Sequence, residues 1–161
     1  MIRIVLFILI SFQTNGACSS VKKGQDKYQI DKVINNSPNI SNDSIRCDIL
    51  VVKYTETHLN ELLNADLYKF LYTFSKDCSQ NVEYSEYSNE MLFRVLEKYP
   101  EQLINCMSTE KGLDLDYIFS ELSAPLHDID GKVIYEKVQN VSGDILFKEK
   151  ILEALKKAIV Y

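Results

Sequence analysis

This 161-residue chain holds 23 acidic residues, four Cys and two His, but few of them stand at spacings useful for chemistry. His58 and Glu61 are three apart, so on a helix they would share a face and could touch one metal ion. Two ligands on a surface helix leave most of a coordination shell open, and a solvated pair is the simpler reading. His127 begins HDIDG, where Asp128 and Asp130 precede Gly131. A calcium loop in that register would need an oxygen ligand at Leu126 and a bidentate Glu at Lys137. Both places fail, so these residues are expected to make a turn. The carboxylate pairs Glu83/Glu86, Asp114/Asp116 and Asp128/Asp130 are near only along the chain. General acid–base work needs groups that converge in a cleft with shifted pKa values. A thiol nucleophile could be assembled from Cys78 or Cys106 with His127, but no local pattern supports it. The chain has no Gly-rich phosphate loop, no GxSxG and no HExxH. No catalytic, cofactor-binding or metal-binding residue is therefore expected, and the chain reads as non-enzymatic.

The elements that would position such groups read as helices. Leu59, Leu62, Leu63, Leu67, Phe70, Leu71 and Phe74 recur at three- and four-residue steps, which predicts one long helix over 55–74. Asp66 is a place where it could kink or restart. The preceding IRCDILVVKY is rich in Ile and Val, but a lone strand has no partner, so it too is expected to be helical. Residues 76–88 read as a polar connection. Ser88 is expected to cap a helix bearing Met91, Leu92, Val95 and Leu96. Pro100 marks a corner and the first turn of the next helix, with Leu103, Ile104 and Met107 inward. Further helices follow over 115–123, 132–141 and 144–161, separated by Gly112, Pro125, the HDIDG turn and Gly143. The sum is an all-α domain over 45–161, with about six helices joined by short polar turns. A stack of helical hairpins resembling HEAT-type proteins and an irregular bundle both fit, since no repeat of fixed period is present.

Ahead of this domain the composition changes twice. Arg3, the apolar run Ile4–Ile10, and the small residues Gly16 and Ala17 lead to Cys18. That is the three-part layout of a secretory signal peptide over 1–17, and the run is too short to span a bilayer. Residues 18–44 are rich in Ser, Asn, Lys and Asp, and read as a flexible tether. The order of Arg, apolar run, Gly, Ala and Cys resembles a bacterial lipoprotein signal, although Asn15 stands where that family usually has an apolar residue. The resemblance implies cleavage before Cys18, acyl chains on Cys18 and a membrane-anchored envelope protein. Plain secretion with cleavage near Ala17 is the alternative. A lipid-bearing Cys18 would leave Cys47, Cys78 and Cys106, an odd number. Cys78–Cys106 is the expected disulfide because both lie near predicted helix ends; three buried thiols are the alternative.

A formal charge of −5 argues against nucleic acid, which selects a surplus of Lys and Arg. Ten Tyr and no Trp put aromatic weight around VEYSEYSNE, so Tyr84, Tyr87 and Tyr99 form the expected partner surface. The expected role is a protein-interaction module of the cell envelope. An immunity or inhibitor protein that blocks a toxin or lytic enzyme is the alternative.

Overall fold

The structure, a computed structural model, describes residues 45–159. The expected signal peptide, the tether and Cys18 lie outside the described residues. Seven α-helices and no strand occur among them: α1 (Ile49–Thr57), α2 (Asn64–Tyr72), α3 (Val82–Lys98), α4 (Pro100–Thr109), α5 (Leu115–Ser123), α6 (Gly131–Asn140) and α7 (Ile145–Ile159). A short 3-10 turn, Lys76–Gln80, joins α2 to α3.

Local chemistry sets most boundaries. Asp48, Asn81, Asp114, Asp130 and Asp144 each accept a backbone N–H from the first turn of the helix they precede. Pro100 opens α4, where its missing N–H costs nothing. Gly112 takes φ 84° against the Tyr72 ring, where a Cβ would lie 3.2 Å from Tyr72 Cε2.

Two expectations fail here. The helix expected over 55–74 is broken between His58 and Leu63. His58 ends α1, and extended Leu63 starts α2 with its N–H on the Asp66 carboxylate, 3.2 Å away. Asp66 is thus the restart, and the break turns Leu62 into the core while Leu63 stays exposed. The polar connection at 76–88 is also shorter than expected. Asn81, not Ser88, caps α3, and Ser88 lies buried inside it. Tyr84 and Ser88 continue the stripe of Met91, Leu92 and Val95 at helical spacing, all facing the core.

α3 is the centre of the fold. It packs against α1, α4, α5 and α6, while α7 lies across α5 and α6 and reaches α4. One helix touching four others is an irregular bundle; in a solenoid each hairpin meets only its neighbours. Phe70, Phe74, Phe93, Leu96, Leu103, Ile118 and Leu155 fill the interior. The Phe70 and Phe74 rings meet edge to face at 5.3 Å. Asn89 is also fully buried. Its Nδ2 donates to Glu121 Oε2 at 2.7 Å and to the Glu121 carbonyl at 3.2 Å, and its Oδ1 accepts the Leu126 N–H at 3.0 Å. One amide therefore fixes the chain leaving α5.

The cysteines correct a third expectation. Cys47 is bonded to Cys78, with Cα atoms 5.4 Å apart, and Cys106 is a free buried thiol. Cys78 lies in the 3-10 turn, which the broken helix carries back to the domain's first residues. Cys106 instead faces α2 from within α4, so the expected Cys78–Cys106 pair does not form. The bond closes a sequence separation of 31 residues. Replacing Cys47 by Ser is expected to lower unfolding free energy by about 3 kcal/mol, read from urea unfolding. Asn89→Ala should cost about 2 kcal/mol or more by leaving the Leu126 N–H and Glu121 without their buried partner; a double-mutant comparison with Leu126→Pro would show the two losses overlapping.

Candidate functional site

The polar groups that come together most closely lie along the outer face of α3. Tyr87, Glu90 and Arg94 fall three and four residues apart, so α3 presents them in one row. α1 runs beside that row and supplies Glu56. The Glu56 carboxylate accepts the Tyr87 hydroxyl proton and lies 3.0 Å from Arg94 Nη1. Arg94 also reaches Glu90 Oε1 at 3.6 Å, and Glu90 Oε2 stands 4.0 Å from His127 Nε2. The row continues to the end of α3, where Lys98 donates to Asn60 and the Tyr99 hydroxyl donates to the Leu59 carbonyl at 2.9 Å. The break between α1 and α2 thus places Leu59 and Asn60 against the α3–α4 corner.

The electrostatics follow from those contacts. The hydroxyl of Tyr87 and then the guanidinium of Arg94 hold the Glu56 carboxyl below its ordinary 4.5. Burial, reinforced by the adjacent Glu56 carboxylate, pushes Tyr87 up to about 12. Its hydroxyl is therefore a donor at physiological pH. On α3, Glu83, Glu86, Glu90 and Glu97 outnumber Arg94 and Lys98, although Glu97 is paired with Lys137 of α6 at 2.8 Å. Such a row is a fixed pattern of charge and hydroxyl, suited to contact with another surface.

The structure disperses the expected partner residues. Tyr84 is fully buried, its hydroxyl donating to Thr73 Oγ1 at 2.7 Å. It forms no surface, because VEYSEYS is helical and turns this ring inward. Tyr87 and Tyr99 are half-buried, with their hydroxyls engaged as above. Glu56 and Arg94 were not expected, since each pairs across 38 residues of sequence.

The other candidates have local roles. His58 stacks on Tyr54 at 4.0 Å, with Nδ1 at 2.9 Å from the Tyr54 carbonyl, so it closes α1. His127 Nε2 lies 3.1 Å from the Glu86 carbonyl. A carbonyl only accepts, so Nε2 carries hydrogen there. Asp130 caps α6 and Asp114 caps α5; Asp114 Oδ2 also receives the Lys76 N–H at 3.1 Å. No group of three or more metal-ligating side chains occurs among the described residues. Cys78 is oxidised, and Cys106 and His127 line different clefts, so the thiol–imidazole arrangement is not assembled. Burial pushes the Cys106 thiol up to about 11.

Comparison with known proteins gave no match to a family model, a curated protein or a solved structure.

Glu56 supplies a pH test. Its folded pKa is lowered, so its contribution is complete above the ordinary value of 4.5 and is lost as pH falls through the lower folded value. The Arg94 and Glu56 side chains keep 39% and 40% of their surface exposed, so solvent screening limits the effect. Glu56→Gln should remove at most about 1 kcal/mol at pH 7. It should also flatten the pH dependence of urea unfolding between neutral pH and pH 3, relative to the parent chain.

Proposed function

We propose that the chain is a non-enzymatic cell-envelope lipoprotein, anchored through acyl chains on Cys18, whose helical domain docks onto another envelope protein. The observation that carries this reading is the Cys47–Cys78 disulfide. Disulfides persist in oxidising compartments outside the cytosol, the destination that the 1–17 segment implies. The bond also lies where the proposed tether over 18–44 would meet the domain. A pull on the tether would be received by a covalent link to the core.

No helix among the described residues is long and apolar enough to cross a membrane. In this reading the membrane attachment is the lipid, and several acyl chains on one Cys hold firmly because each buried methylene contributes about 0.8 kcal/mol. The docking surface is the α3 row with Glu56. Its excess of carboxylates also favours the second reading, an immunity or inhibitor protein. The partner would then be a toxin or lytic enzyme with a basic surface. Either partner should associate more slowly as salt rises, since screening shortens the reach of these charges.

The test is mass spectrometry on tagged protein from detergent-solubilised cells. The expected N-terminal peptide begins at an acylated Cys18, and a constant companion is expected to co-purify. Cys18→Ser should move the protein from the membrane fraction to the soluble fraction. An unacylated Cys18 on protein released to the medium would sink the anchor. Arg94→Glu should alter retention of the companion several-fold without moving Cys18 acylation, which separates docking from anchoring.

A further inference from the structure

We infer that the cleft between α2 and α4 is a binding site for one uncharged, hydroxyl-rich saccharide unit. The cleft encloses about 340 Å³. That is near the lower end of small-ligand sites, which run from roughly 300 to 1,000 Å³, and suits a single ring. Its form follows from two helical spacings. Asn64, Ala65 and Tyr68 lie on one face of α2, and Gln102, Asn105 and Cys106 on the facing side of α4. Cys106 is small and buried at the bottom of the cleft, and the small, exposed Ala65 leaves its α2 wall open to solvent.

The rim is chemically specific. Three primary amides, Asn64, Gln102 and Asn105, surround the opening, and none hydrogen-bonds to another described residue. An amide both donates and accepts, as does a sugar hydroxyl or an acetamido group, so rim and ligand match without charge. Tyr68 adds an aromatic ring against which the C–H face of a pyranose can pack. Burial raises the Tyr68 hydroxyl above its ordinary value, and the Glu110 carboxylate adds to this, so it stays a neutral donor. The lining has one carboxylate, Glu110, and no Lys, Arg or His. An anionic ligand would meet repulsion there and find no cation.

The cleft is distinct from the α3 row. α3 contributes no residue to it, so it can fail or succeed independently of the docking surface proposed above.

Side-chain NH2 signals of the 15N-labelled full chain give a direct readout. Titration with N-acetylglucosamine should shift the Asn64, Gln102 and Asn105 signals saturably. Gln102→Ala, at an exposed position, should weaken binding about fivefold by deleting one hydrogen-bonding group. Ala65→Leu narrows the exposed α2 wall of the cleft and should abolish the shifts, with circular dichroism showing that the helices persist. Glucuronate should bind more weakly than N-acetylglucosamine because of Glu110. A chitin trimer that binds at least tenfold tighter than the monomer would identify a glycan end as the source, and equal affinities would identify the free sugar. Absence of saturable shifts at these amides, an unchanged affinity in Gln102→Ala, or a preference for glucuronate would each overturn the proposal.

Discussion

The rest of this domain depends on a buried knot of polar contacts at Thr73. Its carbonyl accepts the Cys47 N–H at 2.9 Å. Its hydroxyl donates to Phe70 and accepts the Tyr84 hydroxyl, each at 2.7 Å. Thr73 and Tyr84 are almost wholly out of solvent, so each group satisfied here would be costly if left alone. The knot joins the end of α2, the start of α3 and the first residues of the domain. Arg46 extends it: one guanidinium nitrogen reaches the Phe74 carbonyl at 2.6 Å, another the Gly112 carbonyl at 2.7 Å, and the group lies over the Tyr72 ring. The disulfide adds a covalent tie beside these bonds. Cys47 takes φ 58°, a backbone state that non-Gly residues adopt uncommonly.

α3 converts this fixed edge into a whole fold because its two sides do opposite work. Its inner side carries Tyr84, Ser88 and Asn89 among apolar residues, and every buried side-chain polar atom among the described residues has a partner. The Ser88 hydroxyl turns back to the Ser85 carbonyl of α3 itself, while Tyr84 and Asn89 find theirs on other elements: Thr73 before the 3-10 turn, and Glu121 and Leu126 around the end of α5. Polar burial of this kind tolerates few alternative packings, because a slipped helix would strand several groups at once. The outer side is therefore held in one register as well. Tyr87, Glu90 and Arg94 meet Glu56 and His127 because the inner contacts have already fixed the rotation of α3.

The sequence made the helical class and most helix ends legible because those signals are local. Pro100, Gly112 and the Asp caps each act within one turn of chain, and their types suffice. What stayed hidden depended on distance. The break at 58–63 is invisible to periodicity, since Leu59, Leu63, Leu67 and Phe70 keep three- and four-residue steps across it. The two short helices bury Leu62 in the core and leave Leu63 exposed, a choice that depends on packing and not on local pattern. Tyr84 and Ser88 read as polar because both carry hydroxyls, yet one hydroxyl finds Thr73 and both residues become core. The disulfide was misassigned for the same reason. Nearness to helix ends is a poor guide to partners, whereas the return of the 3-10 turn to residue 47 is a consequence of the break that periodicity concealed.

Charge separates the two surfaces that the fold leaves available. On α3 the ionic groups answer one another across helices, and a partner must offer a complementary pattern in the right register to replace water there. In the α2–α4 cleft the rim groups are mostly neutral, and the side-chain amides of Asn64, Gln102 and Asn105 bond no other described residue. Water satisfies those amides at little cost, and a ligand gains only by supplying several hydroxyls at once from a rigid ring. The first surface discriminates by field and the second by geometry. A domain held at one end by the Cys47–Cys78 bond can present both without either contact disturbing the knot that supports them.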